Sequence, residues 1–474
     1  MNITLISSDS YELFKITVAV IFLFDAIFFL PWFSRMFGKD YQKVNFVKND
    51  SHTKLLWFLW VSASLCLIFD FLPMIGSLTL TVIFRYYYIY SRPINLFRGG
   101  GAVGIFPAFI AMYIFIVEIL VIMGLDWASS QMVLYIMVFH IGLTIFDAGL
   151  YKVSNGYLKN DGFQYALMNP FWSYWCNTNI VNSINSNIWR IINPFIAITQ
   201  LTIGLLMILP STQAYGAVHL GLGFLVLAFF LKLANLPLLI GSLIFLFVDH
   251  KFETSMELSD LFSWLHEVNI WVILVGTIYS IILVVGQLIV WLNFYFSIYL
   301  PNSIQKIFDV INLHLPILIW RVFSADVVNI YSLVYEVDSS GDKRLINRWD
   351  FKTDYGKNAL DRFRFFNVAE SCVMSSIFNS VRYNDKNLPT AKQRLMQYSY
   401  TLLPQLQSKG NNILFEVYRL TKNSKTEKLE RIKISDWMVN LKSTSCERIW
   451  FSSSSNDLIS SFLRPFGGFG KYHA

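Results

Sequence analysis

The chain has 474 residues, of which 55% are hydrophobic, 17% aromatic and only 15% charged, with a net charge of +7 and a mean hydropathy of +0.47. So apolar a composition excludes an ordinary soluble domain and points to the membrane class. The basic excess then belongs to loops beside apolar spans and to anionic membrane lipid as a partner, and no nucleic acid is expected.

Apolar runs able to cross about 30 Å of hydrocarbon are read at 14–33, 54–71, 72–88, 101–124, 131–151, 191–210, 215–232, 236–250 and 270–297. The expected fold is therefore an α-helical polytopic membrane protein with about nine transmembrane helices and a C-terminal α+β extramembrane domain. The first run ends in Pro-Trp-Phe without a small-residue cleavage site, so it reads as a span and not as a cleaved signal. Pro73 and Pro237 divide two longer apolar stretches, because proline interrupts the helical hydrogen-bond ladder.

Loop charge gives an orientation. With alternating spans, Arg35, Lys39, Lys43, Lys48, Arg85, Arg92, Arg98, Lys152, Lys159, Arg190 and Lys232 fall on one side. The positive-inside rule makes that side cytoplasmic, in a bacterial inner (plasma) membrane, with the N-terminus outside. The 249–267 loop is acidic and falls opposite.

Residues 1–300 thus form the bundle, and 301–323 an amphipathic interfacial segment anchored by Trp320 and Arg321. From 324 to 474 the composition is that of a soluble α+β domain. Alternation around Ser-Ser-Gly-Asp, near 329–351, predicts one hairpin, and 412–437 predicts a second with its turn at Lys422 to Thr426. Helical spacing is read over 361–383 and 389–407, and the tail PFGGFGKYHA reads as flexible or partner-docking. Cys66, Cys176, Cys372 and Cys446 form no CxxC pair or His-bracketed spacing, so neither a metal site nor a disulfide framework is expected.

Ionisable residues inside spans carry the most chemistry, since charge in hydrocarbon is costly and is paired or functional. Asp25, Asp70, Glu118, His140, Asp147, His219 and Lys232 sit in apolar runs and should face a shared interior, either as packing pairs (Asp25 or Glu118 with Arg85 or Lys232) or as a working site. His140, Thr144, Asp147 and Tyr151 recur at helical spacing, giving one helix a polar face. Lys152 follows at the helix end, where burial of an amine favours its neutral, proton-accepting form. Lys152, Asp147 and His140 are the candidate catalytic residues; the other reading of Lys152 is a snorkelling end to a span.

A second motif is RGGGAVG at 98–104. Glycines opening a helix let backbone N–H groups approach an anion, so Arg85, Arg92, Arg98, Gly99, Gly100 and Gly101 are candidates for binding an acidic substrate group or lipid headgroup. The other reading is a flexible turn.

AGLYK (148–152), followed by Gly156, Tyr157, Asp161-Gly162 and ALMNPFWSYW, resembles the signature of the HTTM membrane domain of the vitamin-K-dependent γ-carboxylase superfamily. IWRVF (319–323) is similar to the phrase preceding the extramembrane part of such proteins. The resemblance implies a membrane-embedded, lyase-like enzyme that acts on an acidic peptide or lipid-linked substrate, with Lys152 as base and a quinone-type cofactor. It also implies an extracytoplasmic position for Lys152 and the C-terminal domain, against the loop charge. Tyr157 stands where the family has tryptophan. The alternative function is a non-catalytic assembly or maturation factor that docks a protein or peptide partner through its C-terminal domain.

Overall fold

A computed structural model describes residues 5–37, 50–87, 101–154, 162–169, 172–173, 178–249, 258–315, 330–345 and 412–451, less positions 232, 234, 297, 424, 425, 427 and 444, together with positions 392, 395, 396 and 399. Thirteen α-helices precede five strands among these residues. They are α1 (Ser8–Phe37), α2 (Asp50–Ile68), α3 (Pro73–Arg85), α4 (Gly101–Ile122), α5 (Trp127–Ser154), α6 (Gly162–Met168), α7 (Thr178–Ser183), α8 (Ser186–Ile208), α9 (Gln213–Phe230), α10 (Leu236–Gly241), α11 (Leu258–Glu267), α12 (Ile270–Tyr295) and α13 (Asn302–His314). A 3-10 turn, Pro210–Thr212, leads into α9, and α10 runs on as a 3-10 segment, Ser242–Phe247.

Among the described residues, four segments are long and apolar enough to cross a membrane, where nine were expected: Trp127–Ser154, Ser186–Ile208, Pro210–Phe230 and Ile270–Asn293. Shorter apolar stretches are Lys54–Ile68 and Phe106–Ile122, which belong to the longer helices α2 and α4, and Pro73–Arg85 and Leu236–Phe247, which fall short of the roughly 20 residues a span needs. Both prolines mark divisions as expected: Pro73 opens α3, and Pro237 lies in the first turn of α10. Proline is accepted there because the first N–H groups of a helix have no partner within it. Asn185 and Asn269 start α8 and α12 by accepting from the backbone N–H of Asn187 and Trp271, at 2.9 and 3.0 Å, which satisfies one such donor in each.

Side-chain bonds gather one end of the bundle. Ser7 and Ser10 donate to Asp249, Trp127 and Gln131 donate to the Ile6 carbonyl, and Trp264 donates to Gln131. Lys15 pairs with Glu12, Asp70 and Glu118 at 2.8, 2.8 and 3.2 Å. The starts of α1, α5 and α12 therefore meet the ends of α2 and α4, and Asp249 and α11, from the acidic 249–267 stretch, lie with them. Glu118 was expected beside Arg85 or Lys232, and Lys15 takes that place. Asp25 accepts from Asn235 at 3.1 Å, while Lys232 lies outside the described residues.

The strands β1 (Ile330–Val337), β2 (Lys343–Leu345), β3 (Asn412–Lys422), β4 (Leu429–Asn440) and β5 (Ser445–Phe451) form one antiparallel sheet in the order β2-β1-β3-β4-β5. The two hairpins foreseen from alternation are β1–β2, turning at Gly341 with φ 89°, and β3–β4. They join edge to edge through β1 and β3 over Ile330↔Arg419 to Val337↔Asn412. Val334, Ile413, Phe415, Val417, Trp437 and Val439 are buried in the sheet's core. β5 was not foreseen. The helices read over 361–383 and 389–407, the tail and residues 316–323 fall wholly or mainly outside the described residues.

α13 opens the 301–323 segment and is amphipathic. Phe308 is buried against Leu143, Leu283 and Val290, whereas Ile304, Ile307 and Val310 are exposed. The sheet rests on the chain between α6 and α8: Met168, Val181 and Trp189 pack with Tyr331, Leu420 and Leu429. Asn182 clamps that contact, accepting from the Leu429 N–H at 3.2 Å and donating to its carbonyl at 3.5 Å.

Candidate functional site

The site begins with three glycines. A Cβ on Gly149 would lie 2.7 Å from Leu201 Cγ and 2.8 Å from its backbone nitrogen, and one on Gly142 would lie 2.7 Å from Met207 Cβ. A Cβ on Gly204 would meet the Phe146 backbone, 2.6 Å from its Cα. α5 and α8 thus cross with their backbones in near contact, which only small residues allow. Gly149, the glycine of AGLYK, has a physical task here: it admits α8.

That crossing brings Gln200 to Lys152. The Lys152 side chain is 1% exposed, and its Nζ donates to Gln200 Oε1 at 2.8 Å. Lysine in the last turn of α5 also faces the negative end of the helix dipole. An amide oxygen accepts from an ammonium and from a neutral amine alike, so this contact is compatible with either protonation state.

Asp147 is fully buried and accepts from Trp291 Nε1 of α12 at 2.6 Å. Five residues separate Asp147 from Lys152, a turn of roughly 140° around the helix. One accordingly bonds α12 and the other α8. Seven residues separate His140 from Asp147, roughly two full turns, and His140 also addresses α12.

His140 lies at the middle of α5. Its Nδ1 is 3.2 Å from the Tyr279 hydroxyl, which in turn receives the Tyr113 hydroxyl at 3.3 Å. Phe109 sets its ring against the imidazole with centroids 4.4 Å apart. Thr144, from the same stripe, donates to the His140 carbonyl at 3.1 Å. Arg85 closes α3 and donates to the Met112 thioether of α4 at 2.8 Å, and its charge acts on the Tyr279 hydroxyl.

The predicted residues therefore fall into two groups. Lys152 stands at the α5 end with Gln200, and His140 stands inside the bundle with Tyr279 and Tyr113, with the partly exposed Arg85 acting on Tyr279; Asp147, bonded to Trp291 of α12, lies on α5 between them. Gly101 begins α4, whereas Arg92, Arg98, Gly99 and Gly100 lie outside the described residues. His219 departs from the expected shared interior: it is exposed and turns back to the Tyr215 carbonyl at 2.7 Å. Among the described residues no cluster of three His, Cys, Asp or Glu could hold a metal ion.

Gln200, Trp291, Tyr113 and Tyr279 were missed by sequence reasoning. Their signal was a hydrogen-bonding group within an apolar run, the criterion applied to ionisable residues alone. Comparison with protein-family models, with curated proteins and with solved structures finds no match.

Proposed function

We propose that the chain is a membrane-embedded enzyme whose base is Lys152. The observation that carries this reading is the closed Lys152–Gln200 contact, built by the glycine-mediated crossing of α5 and α8. A lysine that merely ended a span would extend toward water, whereas this one is withdrawn from it. The likeness of AGLYK and the residues after it to the HTTM signature supports the same assignment. The substrate class is an acidic peptide or lipid-linked acid.

In this proposal α1 and the shorter apolar segments 54–68, 73–85, 106–122 and 236–247 complete the four long spans to nine passes. The basic end is cytoplasmic by loop charge. The resemblance implies a quinone-type cofactor, and Lys152 Nζ and Gln200 Nε2 are donors that fit a carbonyl or phenolic oxygen. When bound, such a cofactor would supply an acidic hydroxyl beside the amine. Lys152 holds or accepts the proton, Gln200 orients Nζ, and the α5–α8 crossing keeps water out.

The test is replacement of Lys152 by alanine and by arginine, read as rescue of cells lacking the protein, with amounts and thermal stability checked in detergent. Both variants are expected to fold and to fail, since a guanidinium stays protonated. Rescue by the arginine variant would reduce Lys152 to a structural cation.

A second reading has its own observation. Ile432 and Ile449 are exposed on the sheet, at 46% and 54%, and would suit a protein partner of an assembly or maturation factor. Loss of function on Ile432→Asp or Ile449→Asp, with function retained in Lys152→Ala, would favour that alternative.

A further inference from the structure

Arg85 sets a problem that the Lys152 reading does not answer. Tyr279 and Tyr113 lie nine residues from the ends of α12 and α4 that sit with the start of α1, and His140 lies thirteen residues from the start of α5. At 1.5 Å per residue the group is roughly 14–20 Å from that end of the bundle, a depth well inside a bilayer's hydrocarbon. Arg85 reaches the same level, since its side chain bonds Met112 next to Tyr113.

A guanidinium stays charged at any ordinary pH and carries five donors. Among the described residues, the acceptor shown for it is the Met112 thioether at 2.8 Å, and sulfur of this kind accepts weakly. The acid on α4, Glu118, is engaged elsewhere, by Lys15 and by the Tyr11 hydroxyl at 2.7 Å. A charge at such depth is costly and marks a site in need of an anion.

The surroundings specify the anion's carrier. The Tyr279 hydroxyl, which feels the charge of Arg85, leads on to the Tyr113 hydroxyl and the His140 imidazole, and each of the three is able to present a hydrogen to an oxygen. Phe109 and Met112 supply apolar walls. Arg85 and Tyr279 are both partly exposed, so the cluster opens sideways, and Val82 and Ile278 on the flanking helices are 57% and 50% exposed. A ligand entering there leaves its apolar part along these outward faces.

We propose that Arg85, Tyr279, Tyr113 and His140 bind the oxyanion group, carboxylate or phosphate, of an apolar-tailed amphiphile that enters from the side of the bundle. The proposal rests on the membrane reading and is independent of Lys152. Arg85 pairs with two oxygens of the anion, the geometry that makes arginine–oxyanion contacts strong, and the tyrosine hydroxyls donate to it.

Delipidated protein in a neutral detergent would be titrated calorimetrically with palmitate and with dipalmitoyl phosphatidate, using methyl palmitate as the uncharged control. The acids are expected to bind at least about tenfold more tightly than the ester. Arg85→Met should bring them to the level of the ester, Tyr279→Phe should weaken them partly, and Lys152→Ala should leave them unchanged. Binding of palmitate alone assigns a free fatty acid, and binding of phosphatidate alone a phospholipid. Should Arg85→Met fail to fold, Arg85→Lys, which keeps charge and loses the planar fork, is expected to bind with intermediate affinity. Equal binding of acid and ester, or equal binding by wild type and every well-folded Arg85 variant, would overturn the proposal and leave apolar uptake only.

Discussion

Lys15 Nζ and a Glu118 carboxylate oxygen lie 3.2 Å apart, with 1% and 4% of their side chains exposed. Glu12 and Asp70 join them from more open positions, 44% and 65% exposed, so a single ammonium ties α1 to α4 and to the turn after α2. Removing one partner of a buried pair leaves the other charge uncompensated, typically at about 3–5 kcal/mol. Lys15→Met is expected to lower the melting temperature in detergent clearly. Lys15→Met with Glu118→Gln should cost less than the sum of the single changes; additive losses would show that the pair does not couple these helices.

The crossing of α5 and α8 gives a second expectation. At Gly204 and Gly149 an added Cβ meets backbone atoms that cannot swing aside. Gly204→Ala and Gly149→Ala should each destabilise by about 1–3 kcal/mol through overpacking. Because separating the helices also withdraws Gln200 from Lys152, Gly149→Ala should lower function more than its stability loss explains. Gly223→Ala is the control, since nothing lies within 4 Å of its added Cβ, and it should behave as wild type.

The sheet has a pH signature. Burial pushes the Glu416 carboxyl up, but hydrogen bonds from Lys433, Tyr418 and Lys343 outweigh it and hold Glu416 below its ordinary 4.5. A depressed acid contributes stability above its unfolded value, which is lost as pH falls through the folded value. Lys433 moves the opposite way: burial lowers it, while Asp436 and Glu416 raise it above 10.5. Its contribution is complete below 10.5 and is lost as pH rises through the folded value. Hydrogen exchange of β3 and β4 amides should therefore show protection falling below about pH 4.5 and above about pH 10.5. Glu416→Gln should flatten the acid limb relative to wild type; an unchanged limb would place the acid sensitivity elsewhere.

Cys446 is buried on β5, and that burial pushes its thiol up to about 12. Because the thiolate is the nucleophile, maleimide should leave Cys446 unmodified at neutral pH in folded protein and label it after denaturation. Rapid labelling of the folded protein would show that β5 detaches from β4.

Much of this architecture was legible because it depends on local pattern. Pro73 and Pro237 mark helix starts through the backbone they lack, and the β1–β2 and β3–β4 hairpins follow from alternation around polar turns. The polar stripe of α5 was legible for the same reason. Partners were not legible. Lys152 and Gln200 meet through a helix crossing set by glycines whose sequence neighbours say nothing of the opposing backbone, and Lys15 and Glu118 meet across helices far apart in sequence. Span number was less legible than span position, because apolarity alone does not separate a short helix such as α3, thirteen residues long, from a long one.

The two hydrogen bonds between Asn182 and Leu429 have a mechanical consequence. They fasten the β3–β4 hairpin to α7, immediately ahead of the first turn of α8, and α8 is the helix that carries Gln200. Only Ile184 and Asn185 separate α7 from α8, so the edge of the sheet and the helix that bonds Lys152 are held on one short stretch of chain, with Asn182 as the joint between them.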